Sequence, residues 1–413
     1  MNQHQRKIPF VVSMMGSLLI GLGATTVSAT EPGINPDWIR VGGVMDLEGH
    51  SRGLGLGMRA GIEAAFSGER VQGKRIEFVT LNDSYSPELT VRQTRKLLDQ
   101  GVFAMVGNVG TPTAQQALPI LDEYNVPAFG FFTGAGLLRT GKEGVINYRA
   151  SYIQETAAVI DSAIQAGLRP AEVCAYVQND AYGMAGVEGI KRALRSQPGT
   201  GKIIEKLDDI LAQSGDAPSR NGIGPVGVYE RNTLSSSDGY QSLKKWETAN
   251  ESKCRLVVTV GAYPAIGRFA AYARGKGDNW LISAVSFTGT ENLGETLDQF
   301  GVRDRVIVTQ VVPPLDADLP ILNDARKALG AQYNYVSLEG YIVGKLFLAI
   351  MNRVEGDITR AKFVQEARNS QFDLGGLLMD LTGDNQASDL VSVTYFQDKA
   401  FQPMDAGLWS RML

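Results

Sequence analysis

Residues 102–139, VFAMVGNVGTPTAQQALPILDEYNVPAFGFFTGAGLLR, read strand, polar turn, helix, strand and polar turn in succession. Both turns follow apolar strands, and in open α/β sheets ligands sit beyond the carboxyl ends of the strands. Thr111 stands before Pro112, and proline suits a first helical turn because its missing N–H leaves nothing unpaired there. Thr111 therefore reads as an N-cap, with free amides and a helix dipole behind it that favour a ligand's negative oxygen. The second turn, Thr133-Gly134-Ala135-Gly136, is small enough for backbone amides to reach the same point.

The βα alternation extends in both directions. Upstream, strand 39–46 leads to helix 55–66, and strand 75–81 leads to helix 87–98; downstream comes strand 145–149. The pattern restarts at Ser151-Tyr152-Ile153-Gln154, a capping box that opens an amphipathic helix. Strands 173–177, 226–231, 255–260 and 280–285 then alternate with helices 182–195, 238–249 and 264–274, and strand 306–312 heads towards Pro313-Pro314. Residues 199–224 break the rhythm and read as a surface insertion. Helix 338–354 is apolar nearly all round and is expected to be buried. The tail 372–397 shows strand alternation around a Gly-Asp-Asn turn at 383–385. Such alternation implies α/β architecture with parallel sheets covered on both faces. The expected arrangement is two doubly wound parallel-sheet lobes joined by a multi-strand hinge. The first comprises 37–150 plus 313–388, and the second 151–312 plus 389–413.

The first 29 residues combine Arg6 and Lys7, an apolar run over 8–22 and a small-residue site at Val27-Ser28-Ala29. This is the pattern of a secretory signal peptide, too short and too broken by Pro9 and glycines to span a membrane. A soluble, exported, periplasmic protein is expected. The rest of the chain exceeds a single core of roughly 100–200 residues. Formal net charge is −4 with the signs interspersed, which argues against a nucleic-acid partner. The two cysteines, Cys174 and Cys254, open two strands. Export permits a disulfide, but two buried thiols are the favoured expectation because cross-strand geometry is demanding.

Histidine is limited to His4 and His50, so a His-based triad, imidazole-rich metal site or His general base has almost nothing to work with. No catalysis, cofactor or metal is expected. Gly55-Leu56-Gly57-Met58-Arg59-Ala60 matches GxGxxA, with Asp83 after the next strand. The glycines start nine residues past Asp46, too late for a phosphate-binding turn, and helix–sheet packing explains them. Four helix starts, at Thr111, Tyr182, Tyr263 and a Thr288-x-x-Glu291 capping box, two to a lobe, are expected to converge on one cleft. Tyr85, Phe131, Phe132, Tyr152, Tyr182, Tyr263 and Phe287 gather at the same strand ends, and strand alternation turns at most one of Phe131 and Phe132 inward. Tyrosine joins an apolar face to a polar tip, which suits closure over a small ligand.

At these residues the chain resembles the leucine/isoleucine/valine-binding protein family, the type I periplasmic solute-binding proteins of ABC importers. The likeness lies in GKRIEFVTLNDSYSPELTVRQTRKLLDQGVFAMVGNVGTPT, PAFGFFTGAGLLR, NYRASYIQETAAVI, NDAYGMAGVEGIKRAL, VTVGAYPAIGRFAAYAR and VTQVVPP, in that order and spacing. It implies lobes that close on a small-molecule ligand and a partner permease in the inner membrane. The same fold also serves as a sensor feeding a receptor kinase or chemoreceptor, and an α/β enzyme is a third reading. A monomer is the default. The resemblance places the hydroxyl that meets a ligand carboxylate on Thr111, the small turn on Phe132, Thr133 and Gly134, and cleft tyrosines on Tyr182 and on Ala262 or Tyr263. The family's acidic ammonium partner falls near Thr288, which is neutral, so Asp83, Asp180 or Glu291 would have to substitute for an amino-acid ligand. Its small disulfide falls on Tyr85 and Gly110, so it is absent here. Arg149, at the first crossing between lobes, is read as a hinge anchor, or else as an extra carboxylate partner.

Overall fold

The structure, a computed structural model, describes residues 31–413 apart from Thr140 and Asn369; the signal peptide expected at 1–29 lies outside them. The first sheet holds β1 (Trp38–Met45), β2 (Arg70–Val71), β3 (Lys74–Asn82), β4 (Met105–Val106), β5 (Ala128–Phe129) and β6 (Val145–Ile146), in the order β2-β3-β1-β4-β5-β6. All its pairings are parallel except β2 with β3. The second sheet holds β7 (Val173–Gln178), β8 (Val226–Tyr229), β9 (Leu256–Val260), β10 (Leu281–Ala284) and β11 (Val306–Gln310), all parallel. A short antiparallel hairpin, β12 (Gln371–Asp373) with β13 (Leu378–Asp380), stands apart from both. The antiparallel strands β14 (Ser392–Gln397) and β15 (Ala400–Pro403) then extend the β11 edge of the second sheet. The expected two-lobed α/β fold is what forms.

Helices α1 (Arg52–Phe66), α2 (Pro87–Asp99) and α3 (Thr111–Glu123) accompany the first sheet. Next come α4 (Tyr152–Gln165), α5 (Ala181–Arg195), α6 (Gly201–Leu211), α7 (Ser237–Ala249), α8 (Tyr263–Gly275) and α9 (Thr290–Gln299). Late in the chain are α10 (Pro320–Leu329), α11 (Tyr335–Met351), α12 (Arg360–Ala367) and α13 (Ala406–Met412). The Ser151/Gln154 capping box closes reciprocally at the start of α4. Helix α11 is buried as its composition requires, with Phe347 packed on Phe66 and Phe129.

Four expectations are corrected. The tail hairpin turns at Gly375-Gly376, both in the left-handed region, and not at 383–385. The segment 199–224 is more than a surface insertion. Ile203, Leu207 and Ile210 of α6 are buried, and buried Arg220 donates to Asn179 Oδ1 at 2.7 Å, tying the insertion to the end of β7. The two cysteines form a disulfide, because β7 and β9 are adjacent parallel strands whose ends bring the Cα atoms to 5.6 Å. The GxGxxA glycines serve two contacts and not the expected helix–sheet packing alone: a Cβ on Gly55 would stand 1.9 Å from the Asp46 carbonyl oxygen just past β1, but one on Gly57 would stand 2.8 Å from the Val336 side chain of α11.

That contact is closest at Gly61, where a Cβ would lie 2.1 Å from the Ser337 carbonyl oxygen and 2.5 Å from the Tyr341 nitrogen. Backbone cannot yield as a side chain does. Gly61→Ala is expected to destabilise the protein by about 1–3 kcal/mol through overpacking. A urea midpoint equal to that of the unsubstituted chain would show that the helices part without cost.

Three backbone crossings run side by side. Asn147 N–H donates to Asn385 O at 2.7 Å and Ser388 N–H to Tyr148 O at 2.9 Å, while the Tyr148 hydroxyl reaches Val311 O at 2.8 Å. Arg139 pins them by donating to Arg149 O at 2.7 Å and to Gln386 Oε1 at 2.8 Å. This is the hinge. Among the described residues no helix is long and apolar enough to cross a membrane.

Candidate ligand-binding cleft

In the first sheet, chain order reverses between β1 and β4; in the second it reverses between β7 and β9. Such switch points open crevices at the strands' carboxyl ends. The candidate residues come from both, and they meet. The Phe287 ring lies 5.2 Å from Phe132, 4.7 Å from Tyr182 and 6.2 Å from Tyr85, and Tyr152 lies 5.3 Å from Tyr182. All five are buried. Phe132 is the member of the Phe131/Phe132 pair that meets Phe287.

Helix α3 starts differently from the expectation. Gly110, at φ 110°, is the N-cap, and Thr111 is the first helical residue. Its hydroxyl is thereby free to share a 2.6 Å hydrogen bond with the Thr133 hydroxyl. A Cβ on Gly110 would lie 2.5 Å from the Tyr85 ring, so the positions assigned to the absent disulfide are in contact and the ring fills the space. Gly134 abuts Tyr152, where a Cβ would come within 2.7 Å of the ring.

On the facing side, Asp180 caps α5 by accepting from Tyr182 N–H at 3.0 Å. The Thr288 hydroxyl donates to Gly261 O at 2.8 Å, and the Tyr182 hydroxyl approaches the same carbonyl at 3.5 Å. The expected Thr288/Glu291 capping box does not form. Gly289 is the N-cap of α9, and Glu291 accepts from Tyr335 N–H at 3.1 Å. The helix starts at the cleft are one from the first sheet and three from the second, and not two and two. Tyr263 stands outside the aromatic cluster, half-buried, donating to His50 O at 3.0 Å.

Of the three acids offered as ammonium partners, Asp83 and Asp180 are already engaged, while Glu291 uses one oxygen and keeps the other, Oε2, buried without a hydrogen-bond partner among the described residues. Asp83 accepts from Tyr85 N–H at 2.9 Å and from the Thr90 hydroxyl at 2.8 Å, and burial pushes its carboxyl up to about 7. Asp180 binds Gln178 and Arg231 in addition to its cap. Glu291 faces α11.

Sequence reasoning missed Gln178 and Tyr229. Gln178 donates to the Tyr85 hydroxyl at 3.1 Å and accepts from the Tyr229 hydroxyl at 3.4 Å, so it bridges the two sheets. Its position as the last residue of β7 was the available signal. Sequence reasoning also named Arg149 without its partners. The buried guanidinium stands 3.5 Å from Glu155 and 3.6 Å from Glu339, donates to Ser286 Oγ, and lies 4.7 Å above the Phe132 ring. Glu155 also accepts from Ser286 N–H at 2.7 Å and from the Thr309 hydroxyl. Burial opposes the guanidinium's charge, yet Glu339 and Glu155 outweigh it and hold the pKa above its usual value. For Glu339 burial wins over Arg149 and pushes the carboxyl up to about 7.

A cavity of about 850 Å³ lies elsewhere, lined by Leu118, Pro127, Ala128, Val145, Val364 and Arg360. It adjoins the amino ends of β5 and β6, the wrong end for a ligand by the switch-point rule. Between the lobes the aromatic side chains close on one another. Beside Phe132, Ser286 and Glu339 a void of about 10 Å³ remains, room for about one water.

Residues 38–207 match the family model described as periplasmic binding protein. The structure of a possible leucine/isoleucine/valine-binding protein from Rhodopirellula baltica SH 1 is 32% identical, covers 94% of this chain and 100% of its own, and superposes with a TM-score of 0.79. This chain belongs to the periplasmic binding protein family. It is a solute-binding protein of the leucine/isoleucine/valine-binding type, and membership implies a periplasmic location. A fatty acid ABC transporter substrate-binding protein from Thermomonospora curvata shares the fold at 16% identity, with a TM-score of 0.72, coverage being 92% of this chain and 95% of that one. So does an ABC-transporter solute-binding protein from R. palustris in complex with benzoate, at 16% identity and a TM-score of 0.70, covering 89% of this chain and 95% of its own. No curated protein matches the sequence.

Proposed function

We propose that this protein, a periplasmic monomer exported by its N-terminal signal peptide, captures a small organic ligand between its lobes and delivers it chemically unchanged to an ABC permease. The supporting observation is the meeting of both switch points at one buried cluster, with the start of α3 on one side and Tyr182, Phe287 and Thr288 on the other. Aromatic faces supply apolar contact, and the hydroxyls of Thr111 and Thr133 with the amides behind them suit an oxyanion. Arginine, threonine and tyrosine line the cluster without a histidine or a free nucleophile–base pair, which favours binding over catalysis. On this reading the lobes close by rotation about the three crossings.

A thermal-shift screen over amino acids, aliphatic and aromatic acids, amides and urea tests the reading, since a ligand raises apparent stability by mass action. Thr111→Ala is expected to weaken binding of the resulting hit by about 1–3 kcal/mol, measured by calorimetry. Unchanged affinity removes Thr111 from the site, and no hit in the whole screen removes the function.

A further inference from the structure

The cleft contains polar atoms with unmet needs. Among the described residues, Arg149 Nε and Nη1 and the Tyr152 hydroxyl are buried and have no hydrogen-bond partner. Nη1 stands 3.6 Å from Glu339, beyond hydrogen-bond reach. Thr133 is near enough to Tyr152 to weigh on its ionisation but makes no bond of proper geometry with it. Unsatisfied buried donors are costly and rare, and they cluster where a group from elsewhere completes them. Guanidinium nitrogens donate only, so the group that completes them is an acceptor. Both side chains adjoin the aromatic cluster, Arg149 over Phe132 and Tyr152 against Tyr182.

The rest of the wall decides what accompanies that acceptor. Asp83, Asp180 and Glu155 each accept from two or more groups already, Thr288 is neutral, and Glu339 is paired with Arg149 at 3.6 Å while burial pushes its carboxyl up to about 7, towards the neutral form. A buried ammonium without a counter-charge is strongly disfavoured. A flat or branched apolar body, by contrast, matches the faces that Phe132, Tyr182 and Phe287 would present once the lobes part.

Resting on the binding reading above, we propose that Arg149 and Tyr152 form a carboxylate subsite, and that the ligand is an apolar monocarboxylate carrying no ammonium group. Its carboxylate accepts from Arg149 Nη1, where it meets Glu339, and from the Tyr152 hydroxyl, and its body enters the aromatic cluster. Glu339 competes with it for Arg149. Groups facing Glu339 are Arg149 and Tyr148 from the crossing, Arg139 from the preceding turn and Glu155 from α4. An arriving anion therefore favours the protonated Glu339, and affinity falls as pH rises through about 7.

Calorimetry with benzoate, hexanoate, benzamide and leucine at pH 6 and pH 8 tests this on the full mature protein. Benzoate or hexanoate is expected to bind roughly a hundredfold more tightly than leucine or benzamide. Tyr152→Phe deletes a hydroxyl that makes no hydrogen bond of proper geometry among the described residues, so it is expected to weaken the acid about tenfold while leaving the unfolding midpoint unchanged. Glu339→Gln is expected to tighten binding at pH 8 and flatten the pH dependence. Leucine or benzamide binding as well as the acids overturns the subsite while ligand capture stands, as does unaltered affinity in both variants. If none of the four probes binds, this inference falls, and the wider screen decides the function separately.

Discussion

Arg149→Met is expected to lower the unfolding free energy by about 3–5 kcal/mol at pH 8. The reason is the company the guanidinium keeps. Glu155 and Glu339 are both buried within 3.6 Å of it, and removing one member of a buried ion cluster strands the others without counter-charge. The methionine fills the volume but not the charge. The pH dependence identifies the cause. In the native protein Glu339 is pushed from 4.5 up to about 7, so the folded state retains a proton that the unfolded chain releases. Its stabilising contribution is full below about pH 4.5 and is lost as pH rises through 7. Asp83, raised from 3.8 to about 7, acts in the same sense. In the variant Glu339 lacks even its arginine, so the deficit against the native protein should shrink between pH 8 and pH 5.5. Urea unfolding at the two pH values measures it; equal midpoints for variant and native protein at pH 8 would refute the argument.

Replacing both Cys174 and Cys254 by alanine is expected to cost about 4–5 kcal/mol. The bond joins residues 80 apart, and in the chain-entropy account a loop of that length frees a large ensemble on cleavage. It also clamps the starts of the neighbouring strands β7 and β9, whose far ends carry Gln178, Asp180 and Tyr263. Unfolding in urea with and without reductant measures the effect. Native protein that unfolds at the same midpoint in reductant, with full thiol titration, would show that the cross-link contributes nothing.

The two-lobed α/β fold was legible because both lobes obey simple rules: apolar strands, polar turns at their carboxyl ends and capped amphipathic helices. The Ser151/Gln154 box and Asp180 cap behaved as their residue types predict. What escaped were features decided by distant partners. Thr111 reads as a cap from its neighbours, but Gly110 takes the cap at positive φ and leaves the hydroxyl to Thr133, 22 residues on. Thr288 and Glu291 have capping-box spacing, yet Gly261 and Tyr335 claim them. The glycines of α1 read as helix–sheet packing, which holds at Gly55, but Gly57 and Gly61 meet a helix some 280 residues later. Glu155 and Glu339 carry no signal in the sequence that sets them apart. Only the fold brings them to Arg149.

The pairing of α1 with α11 has a consequence for how this chain is made. An element near the start completes its packing only with one near residue 340, and Phe347 covers the first sheet from the same helix. Contacts that far apart in sequence form slowly, since a long loop must close first. A nascent chain that ends before Tyr335 exposes the bare glycine face of α1 and an uncovered sheet. The first lobe is therefore no autonomous folding unit of the amino-terminal segment, and the chain must be synthesised through α11 before that lobe can lock.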